Sequence, residues 1–206
     1  MTEITAKRPR TKPAEIRREE LMDAAQALFL EKGFSAASVD EIVKVADVAK
    51  GTFYLHFKTK DDVLLALQAR FIEDFRQSLE DALKPFAPEE WDQRFDAWIE
   101  AAMRGYFDQV PLHDLVFHES VPIHHRIQHD NPIILQLSTL LQDGARKGAW
   151  AVKDGRLTAT MLFYALHGAV DDTVSNNSKM SRKTLIATTL AFCRQAIGLK
   201  PSKPAK

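Results

Sequence analysis

Of the 206 residues only one is a cysteine, Cys193, so no internal disulfide can form and a reducing compartment is expected. Glycine (8) and proline (9) are too scarce for a many-turned β-sandwich or a collagen-like repeat. No apolar run reaches the roughly 18 residues of a membrane-crossing helix. The opening MTEITAKRPR lacks the apolar core of a secretory signal. Net charge is also missing: 28 basic side chains balance 28 acidic ones, so overall electrostatics names no partner. There is no glycine-rich phosphate loop, no Gly-x-Ser-x-Gly and no HExxH, so nothing points to an enzyme. What is expected is a cytoplasmic all-α protein with no membrane contact and no cofactor.

The zero balance hides a pattern. Residues 1–60 carry 11 basic and 9 acidic side chains, residues 61–130 carry 6 and 15, and residues 131–206 carry 11 and 4. The run Lys7, Arg8, Arg10, Lys12, Arg17, Arg18 faces only Glu15, and reads either as a phosphate-seeking arm or as a solvated tail. The acidic middle should repel nucleic acid, so such a contact belongs near the N-terminus. The tail KPSKPAK, residues 200–206, is expected to be disordered.

Helical spacing dominates the chain. Leu21, Ala24, Ala25, Leu28 and Phe29 fall at i, i+3, i+4, i+7 and i+8. Gly33 should end that helix, with Phe34 supplying the apolar contact that accompanies such a stop. Ser38-Val39-Asp40-Glu41 is a capping box, with Ser38 at the cap and Glu41 three residues on. Asp47 suits a tight left-handed turn. A second short helix is expected from about Ala49 to Leu55, and Thr59-Lys60-Asp61-Asp62 should open a long one to about residue 83. Further helices are expected near 89–106, 108–119, 130–148, 156–176 and 181–198, about nine in all, with Pro132 at a first helical position.

Residues 37–56 have the form of a helix-turn-helix. One helix can enter the major groove only if a neighbour braces it across the backbone. The second helix offers Lys50, Gly51, Thr52, Tyr54 and His56, with Phe53 and Phe57 as core anchors. From Glu15 to about Asp74 the chain resembles the DNA-binding domain of the TetR family of transcriptional regulators. The matching residues are Ala24-Ala25, Leu28-Phe29, Gly33-Phe34, Ser38 to Ile42, Ala46, Lys50 to Tyr54, His56-Phe57, Lys60 and Leu64-Leu65. The resemblance implies a three-helix DNA-binding domain at 15–60, after a basic arm at 1–14. A larger helical ligand-binding and dimerisation domain would follow at 61–199. It also implies that Ser38, Lys50, Gly51, Thr52, Tyr54, His56 and Lys60 meet DNA; Arg8 and Arg10 are candidates from the basic run alone, if that run is a phosphate-seeking arm. For Tyr54 a core role, for His56 a local cap and for Lys60 plain solvation stay open. Asp47 stands where the family usually has glycine, Ala49 where a serine or threonine caps the recognition helix, and Leu55 where a polar or aromatic side chain faces DNA.

Beyond residue 60 the signal is compositional. Of 18 aromatics, 12 lie between residues 61 and 165. Phe71, Phe75, Trp98, Tyr106, Phe117 and Tyr164, with His167, are candidate walls of a cavity for an apolar or aromatic effector; each could equally be core. The run from His113 to His129 holds five histidines with carboxylates beside them and no cysteine among them. A loop or ligand-facing polar patch is expected there rather than a metal site, and a metal-dependent enzyme using it is a remote alternative. The last two helices are apolar over much of their circumference, which suggests an interface. The resemblance implies a homodimer through such a helix pair, here Gly168, Ala169, Leu185, Thr189, Phe192 and Ala196. A monomer core is the alternative. Together these readings point to a dimeric repressor that a small molecule releases from a palindromic double-stranded operator, or alternatively to a ligand-dependent activator.

Overall fold

The computed structural model describes residues 13–118, 131–176 and 178–199. Among them every regular element is an α-helix. In chain order they are α1 (Ala14–Lys32), α2 (Val39–Val45), α3 (Lys50–His56), α4 (Lys60–Leu83), α5 (Trp91–His118), α6 (Pro132–Arg146), α7 (Gly155–Ser175) and α8 (Arg182–Ala196). α5 is kinked: Gln109 leaves helical geometry (φ −122°, ψ 15°) just before Pro111. Proline has no N–H to close the preceding turn, so the chain bends where two helices were expected. Counted as two, α5 brings the number among the described residues to nine, with the break at 109–111 rather than at 107.

The chain divides into two compact units, residues 1–68 and 69–206. Helix α4 supplies residues to both. The first unit is a small helical cluster around Leu21, Ala25, Phe29, Ile42, Phe53 and Leu64, each at most 2% exposed. Its helix ends follow from local chemistry. Gly33 adopts φ 84° and its N–H returns to the Phe29 carbonyl at 2.9 Å. The Phe34 ring then meets Phe29 edge-on at 5.1 Å, the apolar contact such a stop predicts. Ser38 and Glu41 form the reciprocal capping box. At the other end of α2, Asp47 takes φ 51°. Its N–H bonds the Lys44 carbonyl, and that of Val48 bonds the Val43 carbonyl at 3.0 Å, closing a Schellman turn. α4 opens on a second reciprocal box. The Asp62 N–H donates to Thr59 Oγ1 at 3.2 Å while its carboxylate accepts from the Lys58 and Thr59 N–H groups.

The second unit packs α5 against α6, α7 and α8, with α6 and α7 also paired closely. Asn131, Asp154 and Ser181 cap α6, α7 and α8, and Pro132 takes the first position of α6 as expected. Trp98, Phe95 and Leu137 are fully buried in its core. Trp150 folds back over α6, its indole N–H donating to the Leu141 carbonyl at 2.7 Å, and its ring lies where a side chain on Gly144 would be. Arg194, 6% exposed, crosses from α8 to α5 and bonds Asp96 at 2.6 Å and Asp92 at 3.2 Å. Burial outweighs that guanidinium at Asp96 and raises its carboxyl pKa. Burial likewise pushes the Cys193 thiol up to about 12, which makes it inert.

Candidate functional site

In the first unit α2 packs on α1, and α3 packs on α2. Phe53 (0% exposed) and Phe57 (5%) hold α3 down, and the Arg18 guanidinium lies 5.2 Å from the Phe57 ring centre. The remaining α3 side chains are turned outward. Tyr54 is half-exposed and touches Phe53 edge-on at 5.4 Å. Gly51 is exposed, and a side chain added there would meet nothing within 4 Å. Thr52 and His56 are partly exposed on the flanks. Ala49 offers no side-chain hydrogen bond to the first turn of α3, as its missing hydroxyl requires.

Two of the expected contact residues, Lys50 and Ser38, are already engaged within this unit. Lys50 pairs with Asp40 at 2.7 Å, and that carboxylate raises the pKa of the Lys50 ammonium. Both side chains are exposed, so the pair is weak and open to exchange. The Ser38 hydroxyl donates to Glu41 at 2.7 Å while accepting the Glu41 N–H, so its hydrogen-bonding capacity serves the cap. Lys32 bonds the other oxygen of the Glu41 carboxylate, and with Ser38 holds it at about 2, far below the ordinary 4.5.

Lys60 has a different setting from the phosphate contact implied by resemblance. Its ammonium donates to the carbonyls of Phe34 (2.6 Å) and Ala37 (2.8 Å), reaches toward that of Ser35, and sits 4.4 Å from the centre of the Phe34 ring. An ammonium has three protons, and here all are aimed at the loop between α1 and α2. Lys60 therefore pins that loop to the start of α4. Nothing local in the sequence marks this, because the partners lie 23 to 26 residues away. Arg8 and Arg10 lie outside the described residues.

In the second unit Phe75, Trp98, Tyr106 and His167 line a common cavity, together with Phe163 and five aliphatic side chains. Its volume is about 10 Å³, room for about one water. Phe71 and Phe117 extend this aromatic wall: Phe71 stacks on Phe75 at 6.0 Å and meets Phe117 edge-on at 5.9 Å. Tyr164 does not join it. It is 54% exposed and only touches Phe163 at 5.4 Å. Phe163 shares the inward side of α7 with Leu166 and Val170, whereas Tyr164 lies on the Met161–Gly168 side.

The polar groups at the cavity are few and specific. Tyr106 donates its hydroxyl to Asp171 at 2.5 Å; burial and that bond raise its pKa well above the ordinary phenol range. Burial lowers the pKa of His167, favouring the neutral ring. A ring nitrogen 3.0 Å from the Phe163 carbonyl must carry the proton, so Nδ1–H donates and Nε2 is left as an acceptor. His113, singled out only as part of a histidine run, lies against Tyr106 (edge-on, ring centres 4.5 Å apart) and Phe117 (tilted, 4.8 Å). It is an aromatic neighbour of the cavity, with Asp114 beside it at 3.3 Å. Among the described residues no group of three metal-ligating side chains assembles. The His118 side chain, His124, His125 and His129 lie outside them.

The residues expected at a dimer interface separate into two sets. Gly168, Phe192 (55% exposed) and Ala196 are on the surface, and Ala169 is partly covered. Leu185 (8%) and Thr189 (7%) are buried under the protomer's own side chains. Leu157, Met161 and Tyr164, each over half-exposed, continue the Gly168 face of α7.

Residues 21–67 match the family "Bacterial regulatory proteins, tetR family". Along most of its length the chain is similar to the HTH-type transcriptional regulator YhgD of Bacillus subtilis. The two are 23% identical over 178 residues, which is 82% of this chain and 90% of that protein. A TetR-family transcriptional regulator from Syntrophomonas wolfei has the same fold. Its TM-score is 0.73 at 21% identity, over 93% of this chain and all of the other. The regulator FadR of Bacillus subtilis, solved with stearoyl-CoA, aligns at a TM-score of 0.68 and 24% identity, over 87% of this chain and 97% of the other. None of the described helices is long and apolar enough to cross a membrane.

Proposed function

The chain belongs to the tetR family of bacterial regulatory proteins and is a DNA-binding transcriptional regulator, and from that premise we propose that it is a dimeric, cytoplasmic, non-enzymatic repressor released from a palindromic operator by an apolar or aromatic small molecule. The observation that carries the reading is α3 itself. Phe53 and Phe57 anchor it, α2 braces it, and Gly51, Thr52, Tyr54 and His56 are turned outward beside Lys50. Outward-turned residues of a short braced helix fit the major groove and its phosphate walls.

On this reading Lys50 exchanges Asp40 for phosphate on DNA, and the Arg8–Arg10 arm adds sequence-independent attraction. The uncovered stripe of Leu157, Met161, Tyr164 and Gly168 on α7, with Phe192 and Ala196 on α8, supports a helix-pair dimer. The ligand enters between Phe75, Trp98, Tyr106 and Phe163, where it must widen a cavity of about 10 Å³. Widening it displaces Phe75 and Phe71, both on α4. That helix begins with Lys60, whose ammonium fastens the loop that precedes α2. A ligand therefore favours a state whose two recognition helices no longer match adjacent grooves, and affinity falls by population shift.

The test is selection of bound duplexes from a random pool by the full-length, ligand-free protein. A palindrome should emerge, with half-site centres about 34 Å apart or slightly more, and its affinity should fall steeply with salt. Small apolar and aromatic compounds, with stearoyl-CoA among the probes, should then release it. No enrichment at low salt by folded protein would overturn the reading. Enrichment only in the presence of a ligand would replace the repressor with a ligand-dependent activator.

A further inference from the structure

Leu55 is 83% exposed, the highest value among the exposed large apolar side chains of the described residues, and it lies on α3. Gly51 and Leu55 stand two residues before and after the fully buried Phe53. At 3.6 residues per turn both lie about 160° from it, on the outermost line of the helix. Every hydrogen-bonding side chain of α3 is displaced to one flank or the other: Lys50 and Tyr54 on one, Thr52 and His56 on the other. The line that reaches deepest into a groove thus carries a bare glycine followed by an uncovered isobutyl group. It has no donor or acceptor to offer a base edge. In the major groove the apolar feature of the base pairs is the C5-methyl of thymine.

We infer that Leu55 is a specificity-determining residue that packs against a thymine methyl in the major groove, with Gly51 letting the helix approach closely enough for that contact. This rests on the DNA-binding reading of α3 given above. Lys50, Tyr54, Thr52 and His56 then hold the walls of the groove, and the apolar centre selects the base.

The experiment starts from the palindrome selected by the full-length protein. Each thymine is replaced in turn by deoxyuridine, which removes the methyl and leaves every hydrogen-bonding group in place. One position in each half-site should lose about fourfold in affinity, the effect of one buried methyl. Leu55→Ala should weaken binding to the thymine duplex and abolish the difference between thymine and deoxyuridine there. Leu55→Met, which keeps an apolar side chain of similar volume, should retain the difference. Both variants should melt like the parent protein, because the side chain is solvent-exposed. Equal affinity for all the deoxyuridine duplexes would overturn the inference. So would a thymine preference that persists in Leu55→Ala, since another residue would then read the methyl. Failure to select any duplex would instead remove the DNA-binding reading itself.

Discussion

In the unit ending at Gln68 the chemistry faces outward and is written in side chains three or four residues apart. In the unit beginning at Ala69 it faces inward and is assembled from helices that are distant in sequence. The outward face needs only short elements with well-defined ends, which capping boxes, a left-handed glycine and a Schellman turn at Asp47 supply. The inward face needs close packing, so its tolerance for change is set by contacts rather than by caps. The same kind of substitution should therefore have opposite consequences in the two places.

Glycine to alanine is the widest separation of the two. A Cβ on Gly144 would lie 2.1 Å from Trp150 Cζ2, and that ring cannot step aside because its N–H is bonded to the Leu141 carbonyl. Gly144→Ala should cost roughly 3 kcal/mol, the upper end of overpacking penalties, read as a lower urea midpoint. A Cβ on Gly51 meets nothing within 4 Å. Gly51→Ala should leave the fold intact, or stabilise it by up to about 1 kcal/mol through helix propensity, while weakening DNA binding by holding α3 away from the bases. Equal destabilisation by the two changes would erase the distinction drawn between the units.

Lys60 tests the comparison at a residue where sequence and structure part. As a loop fastener, it should cost about 2 kcal/mol of stability when changed to methionine, because carbonyls bonded to a charged donor lose their partner. The folded variant should keep the parent's dependence of log affinity on log salt. As a phosphate contact, its loss would lower that slope by about one and leave stability nearly unchanged. We expect the first outcome, given the distances of 2.6 and 2.8 Å to the Phe34 and Ala37 carbonyls.

The two kinds of site were not equally readable from sequence. The boundaries of α1 to α4 follow from Gly33, Ser38, Glu41, Asp47 and Thr59, each of which acts on its own neighbours. The outward residues of α3 follow from the positions of Phe53 and Phe57. The role of Lys60 does not, because a lysine before two aspartates looks the same whether it meets phosphate or distant carbonyls. Nor does the cavity wall: Phe163 and Tyr164 are adjacent aromatics on α7, and only the placement of α5 and α6 decides that the first is inside. His113 was visible as a histidine but not as a partner of Tyr106, since the kink at Gln109 and Pro111 lies between them.

The smallest expected effect concerns Glu41, where an outward-facing cap meets an ion pair. Lys32 and Ser38 lower its carboxyl from 4.5 to about 2, so between those values the folded protein binds fewer protons there than the unfolded chain. The stability this contributes is complete above about pH 4.5 and drains away as pH falls toward 2. Glu41→Gln keeps an oxygen to accept the Ser38 N–H but abolishes the charge that Lys32 holds. Its urea midpoint should therefore vary less with pH across that window than the parent's, while the two proteins differ little in shape of profile above it. Parallel profiles down to pH 2 would mean that neither Lys32 nor Ser38 holds the Glu41 charge in solution.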